Sequence, residues 1–457
     1  MSVSLGLSIG VANLVAARAD GTPMRRASVL RLFEHRAAEV GLPEENPGVT
    51  EPGLVLRGFV ERVGDPAPLV AADGTRHQGE ALTVEALNAM ARTVGYGAPI
   101  TVAAPAYWSE GQFAALRGAL RSQPALAPDG VPAAVISDAT ASLAALHARP
   151  GCPTSGVVAL CDFGAGGTSV TLADAGSNLR QIGPTVRYRE FSGDEIDQLV
   201  LGHLLRVAPD VDGTEVSGTA TSMGSVTRLL GGCRAAKEQL SALTTATIAT
   251  GAGEAVRLSR NDFEQLIATP LDRFVGFVEE ILQRNGFRVT LAAVATTGGG
   301  AAIPLVTTRL SERLQVPVFT TPQPSSSAAI GAGLLARHSR QRVPRPVPDP
   351  PSTQLLISSA RSSPPRQRRR RGSIHPPPNR PTSRWPGPRT PTPATNRSPT
   401  PAPMPLVNTV APQRLSTSSV TSRRLSKPNL CRGTSAPPWS SAWPQQVWRY
   451  WSRWCWG

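Results

Sequence analysis

The sequence predicts an α/β protein built from two similar halves that face a cleft, and three observations carry that prediction. Short apolar runs alternate with amphipathic stretches over the first 337 residues, the signature of strands layered with helices. Two segments about 150 residues apart, SLGLSIGVANLVAARADG from Ser4 and ALCDFGAGGTSVTLADAG from Ala159, share one layout. Each is an apolar strand, a glycine-bearing turn, a second apolar strand and a polar turn ending in glycine. The pattern stops after Arg337.

Taken in order, the apolar runs predict strands at Val3–Ile9, Asn13–Ala17, Ile100–Ala103, Ala133–Ile136, Val157–Phe163, Ser169–Leu172, Leu291–Thr296 and Val316–Phe319. The clearest helix is expected over Asp262–Asn285. There Ile267, Leu271, Phe274, Val278 and Ile281 recur at three- and four-residue steps and so share a face. Asn261, with Glu264 three residues on, is the expected N-cap, and Gly286 the stop.

Charge divides the chain sharply. Residues 1–350 carry 30 basic and 32 acidic side chains, while residues 351–457 carry 17 basic and no acidic ones. The protein is therefore a near-neutral body with a cationic tail, not a uniformly basic nucleic-acid binder. The last 107 residues also hold 20 of the 44 prolines and seven of the eight tryptophans, so residues 338–457 are expected to be a disordered Pro/Arg/Ser-rich tail with a Trp-rich end. Out-of-frame reading of a GC-rich gene gives the same composition, and that alternative stays open. The Arg368–Arg371 run and the tryptophans near Arg449 and Arg453 have the chemistry to contact acidic surfaces or nucleic acid. No run of about 18 apolar residues predicts a transmembrane segment. The start of the chain lacks the basic region of a secretory signal. Cys152, Cys161, Cys233, Cys431 and Cys455 show no paired spacing, so a reducing cytoplasm is the expected location.

Three glycine clusters carry the candidate chemistry. Gly6-Leu7-Ser8-Ile9-Gly10 spells a nucleophile elbow, but only seven residues precede Ser8, too few to build the sheet such a serine needs. Asp162-Phe163-Gly164-Ala165-Gly166-Gly167-Thr168 follows a buried-type strand and precedes another. Bare N–H groups at such glycines approach phosphate oxygens, and a strand-end carboxylate holds the waters around Mg²⁺. Thr168 is placed to bond a phosphate or an attacking water; an ordinary hairpin with an Asx cap is the alternative. Thr297-Gly298-Gly299-Gly300-Ala301-Ala302-Ile303-Pro304 also leaves a strand and enters a helix, with no side chains to obstruct a flat base or ribose.

The order of these clusters resembles the actin-like ATPase superfamily, and within it the nucleotide-binding domain of the seventy-kilodalton heat-shock chaperones. The first hairpin is similar to that family's phosphate-1 loop, Asp162–Thr168 to phosphate 2, and Gly298–Pro304 to the adenosine motif. Five further segments agree in order. They are Ala104–Trp108, Ile136–Ala144 as a first connecting helix, Ser192–Asp197, Arg234–Ser241, and Ala328–Gly333 as a second connecting helix.

The resemblance implies a two-lobed, duplicated ribonuclease-H-like fold with lobes at 1–150 and 151–337, binding ATP or ADP with Mg²⁺ between them. It places Gly10, Val11, Ala12, Asn13, Gly164, Gly166, Gly167, Thr168 and Gly193 around the phosphates. Lys237, Ser241, Gly298, Gly299 and Ala302 fall at the nucleoside. Asp162 becomes the metal organiser, with Asp138 and Thr168 as its catalytic companions.

Departures from the family pattern bear on activity. The aspartate and two threonines of the first phosphate loop are replaced by Ser8, Val11 and Ala12, and an adenine-stacking arginine by Ala302. The internal comparison shows the same loss, since Ser8 stands where Asp162 stands in the second hairpin. No strand periodicity follows residue 337 to suggest a substrate-binding domain. The expected function is a chaperone-like nucleotide-binding protein with weak or lost ATP hydrolysis, with protein clients or co-chaperones as its expected partners. The alternative is a non-catalytic scaffold that binds a protein or nucleic acid through its tail.

Overall fold

A computed structural model describes residues 3–19, 21–208, 219–250 and 255–342. The expected tail, apart from its first few residues, lies outside them, as do Cys431, Cys455 and the tail tryptophans.

Two five-stranded sheets organise the body. The first contains β1 (Leu5–Ile9), β2 (Asn13–Arg18), β3 (Met24–Ala27), β4 (Ile100–Ala104) and β5 (Ala134–Ser137), in the order β3-β2-β1-β4-β5. The second contains β6 (Val157–Phe163), β7 (Thr168–Asp174), β8 (Arg180–Tyr188), β9 (Leu291–Thr297) and β10 (Val318–Thr320), in the order β8-β7-β6-β9-β10. In each sheet the first three strands form an antiparallel meander, and the last two join parallel to the founding strand. One strand order and one set of directions are thus used twice. Small ribbons at residues 30–56 and 69–77 decorate the first sheet, and the hairpin Thr245–Ala249/Ala255–Ser259 the second.

The expected strands are all present: Val157–Phe163 matches at both ends, and in the others no end moves by more than two residues. The meander edges β3 and β8 carry no uninterrupted apolar run, and neither was expected: Met-Arg-Arg-Ala and Arg-Gln-Ile-Gly-Pro-Thr-Val-Arg-Tyr present polar groups at an exposed edge.

Alternation along the strands separates two faces. In β6, Val157, Ala159, Cys161 and Phe163 enter one core, with α4 (Gly193–Val207), α5 (Thr219–Leu240), α6 (Arg260–Arg284) and α7 (Pro304–Leu314) covering it. Val158 and Leu160 turn the other way, against Ala139, Leu143 and Leu146 of α3 (Asp138–His147). In β1, Leu5, Leu7 and Ile9 pack with α1 (Gly79–Val94) and α2 (Glu110–Arg121). Gly6 faces α8 (Ser327–Arg342) instead, so closely that a Cβ there would lie 2.0 Å from the Ala329 carbonyl oxygen. Where α8 crosses α3, a Cβ on Gly331 would lie 1.7 Å from the Ala141 oxygen, so only glycine permits the crossing. These two connecting helices therefore lie back to back between the sheets.

Two local expectations are corrected. The long helix begins at Arg260, and its N-cap is Ser259, whose Oγ accepts from the Asp262 N–H at 3.2 Å; Asn261 already lies inside the first turn. The first connecting helix starts at Asp138 rather than Ile136, because Ile136 and Ser137 finish β5 and Ser137 caps the helix. Gly286 does end α6, with φ +69°.

Candidate functional site

The two hairpin turns are equivalent rung by rung. Ile9 pairs with Leu14 and Ser8 with Val15, whereas Phe163 pairs with Thr168 and Asp162 with Ser169. Residues 10–13 and 164–167 therefore fill the same gap. Ser8 and Asp162 stand one rung before it, on the face that looks between the sheets. Ser8 is a mid-strand residue, which disposes of the nucleophile-elbow spelling.

In each turn several carbonyls are occupied and N–H groups are left to spare. Ser28 donates from Oγ to the Gly10 carbonyl at 2.7 Å and from its backbone N–H to the Ala12 carbonyl at 2.8 Å. In the second turn, Gly193 and Asp194 at the start of α4 donate to the Gly164 and Ala165 carbonyls at 3.0 and 2.9 Å. Ser192 caps that helix through Oγ, accepting from the Glu195 N–H at 3.0 Å. Among the described residues, the N–H groups of Val11, Ala12, Ala165 and Gly166 have no acceptor. Such turns are donor-rich hollows suited to anions.

Thr168 is placed differently from expectation. It is 0% exposed and its Oγ1 donates to the Phe191 carbonyl at 2.7 Å, tying the second turn to the residue before the α4 cap. Lys237 reaches the same region from α5. Its Nζ lies 2.7 Å from Asp197 and donates to the Gly193 carbonyl at 2.6 Å. Ser241, just past the helix end, donates back to the Lys237 carbonyl at 3.2 Å. Arg234 pairs with both Asp194 and Asp197.

The third cluster packs directly on Asp162. Gly298 has φ +81°, and a Cβ there would lie 2.3 Å from Oδ1 of Asp162 and 2.5 Å from the Phe163 carbonyl oxygen. Gly299 and Ala302 are exposed, and nothing lies within 4 Å of a Cβ added at Gly299.

Contacts from the first sheet complete the site. Asp138, at the first turn of α3, accepts from the Ala106 N–H at 2.9 Å. Burial, and then the charge of Asp162, push the Asp138 carboxyl up to about 8. Burial raises Asp162 to about 6, against the pull of Arg187. Asp138, just after the first sheet, and Asp162, in the second, are thus two sequestered carboxyls that repel when both are charged. The guanidinium of Arg187 on β8 lies 3.7 Å from the ring centroid of Tyr107, which follows β4. Arg25 on β3 meets Glu238 on α5 at 3.4 Å. Sequence reasoning missed Arg187, because it sits on a polar edge strand outside every glycine cluster. A hollow of about 200 Å³ beside Cys152 and a groove of about 540 Å³ between α1 and α2 both lie away from the turns.

These features define a class: an α/β body in which one strand order is used in two sheets, each with a glycine turn after its founding strand. Residues 70–341 match the family model described as Hsp70 protein, and the chain belongs to the Hsp70 family. It is 28% identical over 245 residues to the chaperone protein HscA homolog of Methylococcus capsulatus, covering 52% of this chain and 37% of that one. It is 29% identical over 342 residues to the chaperone protein HscA homolog of Azotobacter vinelandii, covering 72% of this chain and 50% of that one. The chain thus spans half or less of the length of these relatives.

Proposed function

We propose that the body is a chaperone-like ATP/ADP-binding module with weak or lost hydrolysis, made of two ribonuclease-H-like lobes at 1–150 and 151–337. The observation that carries this reading is the pair of equivalent hairpin turns with spare N–H groups, one preceded by Asp162 and the other by Ser8.

Main-chain amides of Val11, Ala12, Ala165 and Gly166 hold the phosphates in this reading. The flat, exposed surface at Gly299 and Ala302 receives the nucleoside, with Lys237 and Ser241 behind it. Thr168 serves by fixing the turn on α4, not by touching phosphate. Asp138 and Asp162 supply oxygen donors whose mutual repulsion a cation relieves, so their chemistry fits Mg²⁺ held through water. When bound, Mg²⁺ neutralises phosphate charge and positions water. Hydrolysis suffers at Ser8, where the first lobe has lost the carboxylate that its repeat retains.

Titrating the full chain with fluorescently labelled ATP and ADP in Mg²⁺ tests the reading. Saturable binding that unlabelled nucleotide displaces is expected. A flat titration for both nucleotides would remove the proposal.

A further inference from the structure

One cation in the cleft stands outside the family motifs. Arg187 pairs with Ser169 across β8 and β7, and Ser169 pairs with Asp162 across β7 and β6. Residues in one cross-strand row share a face, so Asp162, Ser169 and Arg187 all point between the lobes. The guanidinium lies against the second glycine turn. A Cβ on Gly167 would lie 2.9 Å from its Nε, and one on Gly166 3.3 Å from a terminal nitrogen. Its other side stacks on Tyr107 of the opposite lobe.

Arg187 is half-buried, yet among the described residues its guanidinium makes no ion pair and donates no hydrogen bond. Asp138 and Asp162 feel its charge without closing a salt bridge on it. A guanidinium with its donors unused, set beside the acceptor-free N–H groups of Ala165 and Gly166, completes a ring of donors of the kind that grips phosphate oxygens.

We propose that Arg187 is a protein-supplied phosphate clamp, which leaves Tyr107 for the polyphosphate of the bound nucleotide and sustains binding when Mg²⁺ is absent. This rests on the nucleotide reading above and adds to it a residue and a ligand requirement. The clamp acts on phosphate, so adenosine gains nothing from it.

The test measures ADP, adenosine and inorganic tripolyphosphate binding to the full chain by calorimetry, in Mg²⁺ and in EDTA, for the parent, Arg187→Gln and Arg187→Lys. The parent is expected to lose less than about tenfold in ADP affinity on metal removal. Arg187→Gln loses roughly 10- to 100-fold in EDTA, the scale of a charged hydrogen bond. It also loses tripolyphosphate competition, while adenosine affinity is unchanged. Arg187→Lys, which keeps the charge without the planar fork, falls between. Thermal melting checks that each variant folds, and the Lys variant carries the test if the Gln variant does not. ADP binding in EDTA that neither variant weakens, or an equal loss for adenosine, overturns the clamp alone. A parent chain that binds neither ADP nor adenosine overturns the nucleotide reading and the clamp with it.

Discussion

Ser8 and Asp162 occupy the same rung of two hairpins with matching registers, and only one of them is a carboxylate. Ser8 pairs with Val15 and Asp162 with Ser169, each one rung before a four-residue gap in the ladder. If hydrolysis is limited by the missing charge, Ser8→Asp restores it. A gain of about tenfold, or about 1.4 kcal/mol in barrier, is expected in single-turnover ATP hydrolysis with Mg²⁺. A rate equal to or below the parent's shows that the step is limited elsewhere.

Neighbouring glycines in the third cluster should respond in opposite ways. Gly298→Ala forces a Cβ into Asp162 and Phe163 at a positive φ, so the turn must shift. A loss of about 2–4 kcal/mol in urea unfolding is expected, with weakened nucleotide binding. Gly299→Ala meets nothing, and its stability should stay within about 0.5 kcal/mol of the parent. Equal effects at the two positions would mean that the turn is not packed on Asp162.

What the sequence revealed and what it hid follow from one physical distinction. The founding strands β1 and β6, with β4 and β9 beside them, are largely apolar because both faces are covered, so they stand out in the chain as short apolar runs. The edges β3 and β8 are solvated and polar, and Arg187 was hidden with β8. Glycine clusters marked the turns, and at Gly298 the close approach of Asp162 and Phe163 leaves no other choice of residue. The partners of polar side chains were not legible. Nothing in the local sequence says that Thr168 finds the Phe191 carbonyl 23 residues on, or that Lys237 meets Asp197. Such pairings depend on how helices dock, which is a property of the assembled core.

Thr168 provides a direct test of its structural assignment. Thr168→Val keeps shape but leaves the buried Phe191 carbonyl without its donor, which costs about 1–3 kcal/mol. Thr168→Ser keeps the hydroxyl and should recover most of that stability. The measurement is chemical denaturation of both variants, paired with ATP binding. A Val variant as stable as the parent but deficient in hydrolysis would return Thr168 to the chemistry.

Asp138 and Asp162 make stability depend on pH. In the unfolded chain both carboxyl groups titrate near 3.8, whereas in the folded protein Asp138 is raised to about 8 and Asp162 to about 6. A raised carboxyl pKa means that the folded state keeps protons the unfolded state has released. The resulting stabilisation is full below the unfolded value and is lost as pH climbs through the folded ones. Above about pH 8 the metal-free protein therefore carries two charges that repel in a screened site. Asp138→Asn keeps an oxygen to accept from the Ala106 N–H and removes one of those charges. In EDTA at about pH 8.5 its Tm should exceed the parent's by on the order of 5 °C, and the gap should narrow as pH falls and close only below about pH 4, where the unfolded parent is protonated as well. Differential scanning calorimetry of both proteins across that range decides it: a gap that does not change with pH would show that the two carboxylates do not share a field.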